Sequence, residues 1–391
     1  MRLFDTAARR VVPFEPGEVV RMYVCGITPY DSTHLGHAAT YLAYDLLIRR
    51  LEELGHEVRM VRNVTDVDDS ILPKARELGV PYLELAASEL ARFHSDMEAL
   101  GMRPPIAEPR ATEAIPGMID MINQLLDSGH AYLTHGTVYF DISTFPRFGH
   151  LSHYSHDHMV RLARARGGTP DDPHRRDPLD FILWQPSLPD EPAWRAPFGV
   201  GRPGWHVECS VMAMSTLGPH LDLHGGGTDL IFPHHECEIA QSESVTGEPF
   251  CSHWMHSAMV SYEGEKMSKS LGNLVFVGDL LKTADPRAIR LALMRHHYRA
   301  GFEWYDTDLD EGTALLHRLL AAAERPSGPD PRPFAARVRE ALDDDLDAPR
   351  ALEALDDLAS AILSDGDHRS APVELLALGH LVGIDLTKPI A

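Results

Sequence analysis

The chain has 391 residues, of which 44% are hydrophobic, and a formal net charge of −22 at pH 7 with histidine neutral. This length predicts two or three domains. The sequence has no apolar run long enough for a membrane span and no apolar leader, so we expect neither membrane insertion nor secretion and predict a cytoplasmic protein. Four cysteines are too few for a disulfide scaffold, and the scattered lysines and arginines argue against a broad nucleic-acid surface.

The first fifty residues predict a strand, a turn and a long helix. The apolar run at residues 19–24 has strand length, glycines follow it, and helical spacing of apolar residues begins at Ala38. The sequence His34-Leu35-Gly36-His37 falls where this helix begins. Free N–H groups and a partial positive charge at a helix N-terminus suit a phosphate, and both histidines can donate to its oxygens.

The later elements are predicted as alternating strands and helices that an insertion interrupts. They are a strand at Glu57–Arg62 followed by residues 63–66, helices at Asp68–Leu78, Leu83–Leu100 and Ala114–Ser128, a strand or hairpin at Ala131–Asp141, strands at Gly204–Ser210 and Leu221–Gly227, a helix from Phe232 to about Val245, and a strand at Ser252–Tyr262. From Asp285 onward the pattern is helical. Residues 111–200 include a polar stretch rich in histidine and proline, which indicates an inserted subdomain.

Cys25, Cys209, His234 and Glu238 form a candidate metal site. They lie far apart in the sequence and lack zinc-finger spacing, but three of them fall at predicted strand or helix edges that face one crevice. Thiolates and imidazole suit Zn²⁺. Because a buried cysteine is more often just a small hydrophobic residue, the residues alone leave both interpretations open.

Two segments resemble the signatures of class I aminoacyl-tRNA synthetases. Residues 34–37 resemble the first signature, the HIGH region, and Lys266-Met267-Ser268-Lys269-Ser270 is the complete KMSKS sequence of the second. Their order and their separation by about 230 residues indicate adenylate-forming chemistry. The resemblance implies an α/β fold with a class I aminoacyl-tRNA synthetase-like Rossmann (HUP) domain at residues 1–110 and 201–285. It also implies an inserted connective subdomain at 111–200 and a C-terminal α-helical domain within 286–391.

Further segments resemble the cysteinyl-tRNA synthetase branch of this superfamily. They are Tyr23-Val24-Cys25-Gly26, Gly204-Trp205-His206-Val207-Glu208-Cys209-Ser210, His224-Gly225-Gly226-Gly227 and Phe232-Pro233-His234-His235-Glu236. In that branch these motifs carry a zinc ion that binds the substrate thiol, which implies Cys25, Cys209 and His234 as ligands. Zinc separates cysteine from serine without editing. Glu238 is then either a fourth ligand or a carboxylate on the helix surface.

Within this branch, four segments resemble the mycothiol ligases, which join cysteine to the amine of glucosaminyl-inositol. They are residues 25–31 (CGITPYD), 33–41 (THLGHAATY), 165–170 (ARGGTP, similar to ERGGDP) and 272–277 (GNLVFV). The resemblance implies that ATP activates L-cysteine to cysteinyl-adenylate, releasing pyrophosphate, before transfer to the acceptor. The alternatives are a shortened cysteinyl-tRNA synthetase, a paralogue that cysteinylates another amine, and a non-catalytic ligand-sensing paralogue.

The resemblance also implies roles for individual residues. The catalytic set is His34, His37, Lys266 and Lys269, which would bind phosphates and neutralise the departing pyrophosphate. The substrate and adenylate set is Cys25, Gly26, Ile27, Thr28, Thr40, Asn63, Val64, Thr65, Trp205, Gly227, Thr228, Asp229 and Val260. Asp229 or Asp66 would be the acid or base of the transfer step. Each residue also has a structural interpretation, and their joint occurrence favours the functional one.

The expected partners are L-cysteine, ATP with Mg²⁺, and an aminosugar-inositol acceptor. Zn²⁺ is the expected cofactor. We expect a monomer that binds neither tRNA nor a membrane.

Overall fold

The computed structural model describes residues 1–31, 33–267 and 272–389. The first part of the chain forms β1 (Arg2–Asp5), β2 (Arg10–Pro13), β3 (Val19–Ile27), α1 (Leu35–Glu53), β4 (Glu57–Val64), α2 (Ile71–Leu78) and α3 (Tyr82–Ala99). The middle part forms α4 (Ala111–Asp127), β5 (Ala131–Thr134), β6 (Thr137–Phe140), α5 (His156–Ala165), β7 (Phe181–Gln185), β8 (Trp194–Ala196) and β9 (Gly199–Pro203).

The remaining part returns to the first sheet and then becomes helical. It forms α6 (Trp205–Leu217), β10 (Leu223–Gly227), α7 (Glu236–Thr246), β11 (Trp254–Ser257), β12 (Val260–Tyr262), β13 (Glu265–Lys266), α8 (Val277–Leu280), α9 (Pro286–Met294), β14 (Phe302–Glu303), α10 (Asp306–Ala323), α11 (Arg332–Asp343), α12 (Ala348–Ser364) and α13 (Ser370–Leu381). Within the described ranges, no helix is both long and apolar enough to cross a bilayer.

A four-stranded parallel sheet positions the candidate site, with strand order β11-β10-β3-β4. From β3 the chain passes through α1 to β4 on one side, whereas β10 pairs on the other side, with Leu223 opposite Met22. The strand order therefore reverses between β3 and β10. Ligands of open α/β sheets bind at the carboxyl ends of strands at such a point. Cys25 lies near that end of β3, and Gly227 ends β10.

The inserted residues form a second sheet, which is antiparallel and has the order β5-β6-β7-β9-β8. Phe140 and Trp184 of this sheet are buried in one apolar core with Val207 and Met212 of α6. The insertion is thus packed against the helix that carries Cys209. The division of the chain at residues 110, 200 and 285 stays a prediction.

The C-terminal helices are attached to the central sheet through α1. Leu47 of α1 shares an apolar core with Leu291, Leu316 and Leu355 of the later helices. Beside this core, the buried Arg290 of α9 pairs with the Asp45 carboxylate of α1.

Two predicted strands are wrong in detail. Gly204–Ser210 is not a strand, because residues from Trp205 onward form α6. The alternation of Trp205, Val207 and Cys209 with polar residues is typical of a half-buried strand, but Val207–Ala213 is buried throughout, including the polar Glu208 and Ser210. The predicted strand Ser252–Tyr262 is divided into β11, in the central sheet, and β12, in a separate sheet of order β13-β12-β14.

Candidate active site

Four buried side chains from separate elements place ligand atoms within 4.8 Å of one another. Cys25 lies near the end of β3, Cys209 in the second turn of α6, His234 just before α7 and Glu238 in its first turn. Two thiols, an imidazole and a carboxylate form a donor set that suits Zn²⁺. The structure thus brings the three predicted metal ligands together and adds Glu238 to them.

Two buried atoms of this cluster have no hydrogen-bond partner in the described chain and could bind an ion. Nδ1 of His234 lies 3.0 Å from Nδ1 of His206, whereas its Nε2 is buried without a hydrogen-bond partner in the described chain. Oε2 of Glu238 also lacks a hydrogen-bond partner in the described chain, and it lies 3.2 Å from Nε2 of His224 and 3.6 Å from Nε2 of His234. Because buried polar atoms are nearly always hydrogen-bonded, these atoms fit a bound cation. Glu238 is 0% exposed, so the alternative of a carboxylate on the helix surface is wrong.

Burial determines the protonation of the cluster before an ion binds. It raises the pKa of the Cys25 thiol, and the neighbouring Cys209 raises that pKa further. Burial lowers the pKa of His234, and nearby His206 lowers it further. The imidazole of His234 is therefore neutral, which is the form that binds metals, whereas a thiol ligand must lose its proton on binding.

A second group of histidines surrounds the cluster. Cys25, His224, His235 and Glu238 also place ligand atoms within 4.8 Å of one another. Nε2 of His235 lies 3.3 Å from Sγ of Cys25, and its Nδ1 lies 2.8 Å from Nε2 of His256. Nε2 of His224 lies 3.2 Å from Oε1 of Glu238.

Sequence reasoning missed His224 and His235 as neighbours of the ligands. Both stand in the motifs that pointed to the site, HGGG and FPHHE. The chain has 23 histidines, and the residue type alone does not separate buried ones from surface ones. The signal that was available was position, since each stands beside a motif residue at a strand or helix end.

Trp205 connects the cluster to the surface of the crevice. It begins α6, and its ring stacks on His234 with centroids 4.2 Å apart and an interplanar angle of 22°. Its side chain is 38% exposed, so Trp205 is not a core residue. The indole is therefore placed to contact a ligand that reaches the cluster.

The first signature forms the N-terminus of α1. His34 is the N-cap residue, and the rings of His34 and His37 stack with centroids 3.8 Å apart. A Cβ at Gly36 would lie 2.9 Å from the His34 ring, so the absence of a side chain at Gly36 leaves room for that ring. Thr40 follows on the same helix and is partly exposed. Two imidazoles therefore stand at the positive end of a 19-residue helix.

The ends of β3 and β4 join five of the predicted substrate-binding residues. The Gly26 N–H donates to Oδ1 of Asn63 at 2.8 Å, and Nδ2 of Asn63 donates to Oγ1 of Thr65 at 3.0 Å. A Cβ at Gly26 would lie 1.7 Å from the Asn63 carbonyl oxygen. Ile27 and Val64 are paired in register and buried. The side chain of Asn63 therefore uses its hydrogen bonds to connect the ends of the two strands.

The two aspartates predicted as acid or base of the transfer step, Asp66 and Asp229, have different surroundings. Asp66 is 0% exposed, and its carboxylate accepts from the N–H and hydroxyl of Thr112 at 2.9 and 2.7 Å. It therefore anchors the start of α4. Asp229 is partly exposed beside the end of β10. Thr28 directly follows β3, and its hydroxyl donates to Oδ2 of Asp68 at 2.9 Å.

The remaining predicted residues lie at the end of β10 and at β12. Gly227 packs against Asp229, since a Cβ there would lie 2.6 Å from Oδ1 of Asp229, and Thr228 separates them. Val260 is 1% exposed and its side chain belongs to the core. Its carbonyl accepts from the Met267 N–H at 3.1 Å, so contact with a ligand through its side chain is not expected.

The segment that follows the second signature lies beside the first signature. The Leu35 N–H, in the first signature, donates to the carbonyl of Val275 at 2.9 Å, just after the second signature. Lys266 ends β13, which pairs with β12. Lys269 lies outside the described residues. The chain that follows KMSKS is therefore bonded to the start of α1.

Comparison with known sequences identifies relatives of nearly the same length. The model of the tRNA synthetases class I (C) catalytic domain matches residues 11–314. The L-cysteine:1D-myo-inositol 2-amino-2-deoxy-alpha-D-glucopyranoside ligase of Thermobispora bispora is 51% identical over 95% of this chain and 92% of its own. The ligases of the same name from Acidothermus cellulolyticus and Mycobacterium tuberculosis are 48% and 46% identical, over 98% and 99% of this chain and 95% and 96% of their own.

Comparison with solved structures supports the same fold. Methionyl-tRNA synthetase of Mycobacterium tuberculosis, in complex with methionyl-adenylate, aligns with a TM-score of 0.64 at 18% identity, over 93% of this chain and 89% of that chain. Thermus thermophilus arginyl-tRNA synthetase aligns with a TM-score of 0.58 at 15% identity, over 96% and 83%. The predicted class I aminoacyl-tRNA synthetase-like α/β fold is confirmed.

Proposed function

We propose that this chain uses ATP to join L-cysteine to the amine of glucosaminyl-inositol. The chain belongs to the tRNA synthetases class I (C), and within them to the L-cysteine:1D-myo-inositol 2-amino-2-deoxy-alpha-D-glucopyranoside ligases. ATP first activates cysteine to cysteinyl-adenylate, and the amine then displaces AMP to form an amide in mycothiol biosynthesis. The observation that carries this proposal is the buried group of Cys25, Cys209 and His234, in which the Cys25 carbonyl accepts from the Tyr41 hydroxyl of α1 at 3.1 Å.

In the activation step, an oxygen of the cysteine carboxylate attacks the α-phosphorus of ATP, and the bond to pyrophosphate breaks. The N-terminus of α1, with His34 and His37, suits the phosphate oxygens through its dipole and its donors. Lys266 and Lys269 would neutralise charge on the departing pyrophosphate, together with Mg²⁺ bound to ATP. The bond between Leu35 and Val275 supports this arrangement, because it holds the segment that follows KMSKS against the start of α1.

Cysteine selection would depend on a zinc ion held by Cys25, Cys209 and His234. When bound, this ion supplies a site that prefers the thiolate of cysteine to the hydroxyl of serine. Trp205, stacked on His234, would pack against the bound amino acid. Glu238 lies close enough to be a fourth ligand, and X-ray absorption spectra with and without cysteine distinguish a four-ligand site from a three-ligand one.

In the transfer step, the lone pair of the acceptor amine attacks the acyl carbon of the adenylate. The C–N bond forms, the bond from that carbon to the phosphate oxygen breaks, and AMP leaves with the electron pair. The amine loses one proton to a base. Asp229 is our candidate for that base, since Asp66 is committed to Thr112.

The test uses purified enzyme without tRNA. We expect cysteine-dependent exchange of pyrophosphate into ATP and, with glucosaminyl-inositol, an amide of the expected mass. Exchange without any aminosugar product would contradict the proposed acceptor. Charging of tRNA in a separate assay with tRNA added would instead identify a shortened cysteinyl-tRNA synthetase, and absence of exchange would favour a ligand-sensing paralogue.

Cytoplasmic location and a monomeric state stay predictions from the sequence. Light scattering during size-exclusion chromatography tests the monomeric state.

A further inference from the structure

A cavity of about 420 Å³ lies beside the metal cluster, between the insertion and the N-terminal ends of α6 and α7. Trp205, His206 and Phe232 line it from the side of α6 and α7, and Thr169 and Arg175 line it from the insertion. Small-molecule sites typically measure about 300–1,000 Å³. The cavity is therefore large enough for a ligand bigger than cysteine, and the predicted residues of the amino-acid and adenylate site do not account for most of its lining.

One wall of the cavity adjoins the groups that would bind cysteine. Trp205 stacks on His234, and Nδ1 of His206 lies 3.0 Å from Nδ1 of His234. At the nucleotide side, Arg166 lines the cavity and its Nη1 donates to the backbone carbonyl of Asp229. The cavity thus adjoins both the metal cluster and the end of β10, so a molecule bound in it can reach the acyl group between them.

The lining combines an aromatic surface with groups that bind hydroxyls. The partly exposed indole of Trp205 offers a flat face on which the C–H face of a sugar or cyclitol ring can pack. Oγ1 of Thr169 accepts from Nη2 of Arg175 at 2.9 Å, so the hydroxyl hydrogen of Thr169 can be donated to a ligand. Gln185 adds an amide, and Asp69 adds a carboxylate. Because cationic and anionic groups share the wall, this lining suits a polyol better than an anion.

We propose that this cavity binds the amine acceptor, a polyhydroxylated primary amine, and that Thr169 and Gln185 hold its ring hydroxyls while its amine faces the acyl carbon. The inference rests on the proposed function, which supplies the acceptor class, and it adds the residues that select the acceptor. Segment 166–169 is then a specificity loop that the insertion contributes to the active site.

Thr169→Val and Gln185→Leu test this assignment, because each removes polar groups while keeping a similar shape. Each single variant should raise the KM for glucosaminyl-inositol about 3- to 10-fold, the effect of losing one neutral hydrogen bond. The cysteine-dependent exchange of pyrophosphate into ATP needs no acceptor, so its rate and its KM for cysteine should stay within about twofold of wild type. The matched control is Arg164→Gln in the last turn of α5, just before this segment, because Arg164 pairs with Asp171 and its loss should change neither reaction.

Calorimetric titration of glucosaminyl-inositol into each variant measures acceptor binding without chemistry, and the Kd should rise by the same factor as the KM. An unchanged KM and Kd for the acceptor would place its site elsewhere and overturn the proposal. A fall in exchange equal to the fall in ligation would assign the cavity to cysteine or ATP and also overturn it. If wild-type enzyme shows exchange but ligates no aminosugar, the proposed function has failed, and this is seen before any variant is compared.

Discussion

At the scale of single residues, a substitution of Cys209 tests the assigned metal ligands. Cys209→Ala should lose the bound metal and cysteine activation together, because it removes one of two thiol ligands from a buried site. Elemental analysis of the purified protein and pyrophosphate exchange measure the two losses. Cys251→Ala is the matched control, since Cys251 lies outside the cluster and contacts the carbonyl of His253. A Cys209→Ala protein that keeps one equivalent of metal would contradict the assigned ligands.

Loss of the Lys269 side chain should slow cysteine activation without changing metal binding. Lys269→Ala is expected to slow pyrophosphate exchange by about 100-fold or more, as typical for losing a group that stabilises charge in the transition state. The metal content should stay unchanged in elemental analysis. Lys282→Ala is the control, because Lys282 pairs with Asp279 on the surface. Exchange at the wild-type rate in Lys269→Ala would remove this residue from the mechanism.

Individual site residues could be predicted only in part. The resemblance pointed to Cys25, Cys209 and His234, whereas their spacing could not, because they lie on three elements that only the folded topology brings together. The burial of Glu238 and the contact of His235 with Cys25 depend on how α7 packs, which no local pattern encodes. Asp66 is the opposite case, since its buried contact with Thr112 gives a structural role to a candidate acid or base.

At the scale of elements, the approach of β3 to β4 depends on Gly26. A Cβ at this position would lie 1.7 Å from the Asn63 carbonyl, so Gly26→Ala must push the ends of the strands apart. We expect a loss of about 3 kcal/mol or more in the free energy of unfolding, measured by urea denaturation. Gly17→Ala should have little effect, because a Cβ there meets nothing within 4 Å in the described chain. Equal stability of the two variants would contradict this account.

The predicted strands and helices agree with the structure where the periodicity of apolar residues and the positions of glycine and proline indicate the same boundaries. The strand, turn and helix over residues 19–53 follow from an apolar run, glycines and helical spacing, and the structure has them as β3 and α1. Gly204–Ser210 failed because Trp205, Val207 and Cys209 alternate with polar residues as in a half-buried strand, whereas α6 buries the polar Glu208 and Ser210 as well. The pairing of β10 with β3 is long-range and could not be predicted from local pattern.

At the scale of the whole molecule, one buried ion pair joins the central sheet to the C-terminal helices. The Asp45 carboxylate accepts from Nε of Arg49 at 2.7 Å and pairs with Arg290, whose Nε donates to the Val382 carbonyl at 2.8 Å. Asp45→Asn would leave the buried Arg290 charge without its partner. We expect a loss of about 3–5 kcal/mol in the free energy of unfolding at pH 7.

The same pair makes stability depend on pH. Burial alone would raise the pKa of Asp45, but Arg290 and Arg49 outweigh it, so the pKa lies below its ordinary value. A carboxylate with a lowered folded pKa stabilises the folded state above its unfolded pKa, and this contribution is lost as pH falls through the folded pKa. The difference in stability between wild type and Asp45→Asn should therefore shrink below about pH 4.

Urea unfolding at pH 7, 5 and 3 measures that difference directly. Glu57→Gln is the control, because Glu57 and Arg59 form an exposed pair that should contribute less than about 1 kcal/mol. A difference that stays constant across this pH range would contradict the role of the Asp45 charge.

The central claim is that a metal held by Cys25, Cys209 and His234 selects the amino acid that ATP activates. The most direct test compares cysteine with serine in pyrophosphate exchange by the metal-containing enzyme, without tRNA or acceptor. We predict that kcat/KM for serine is at least about 1,000-fold below that for cysteine, and that a chelator which removes the metal abolishes the exchange with cysteine. Equal turnover of serine, or full exchange by enzyme that contains no metal, would contradict the account.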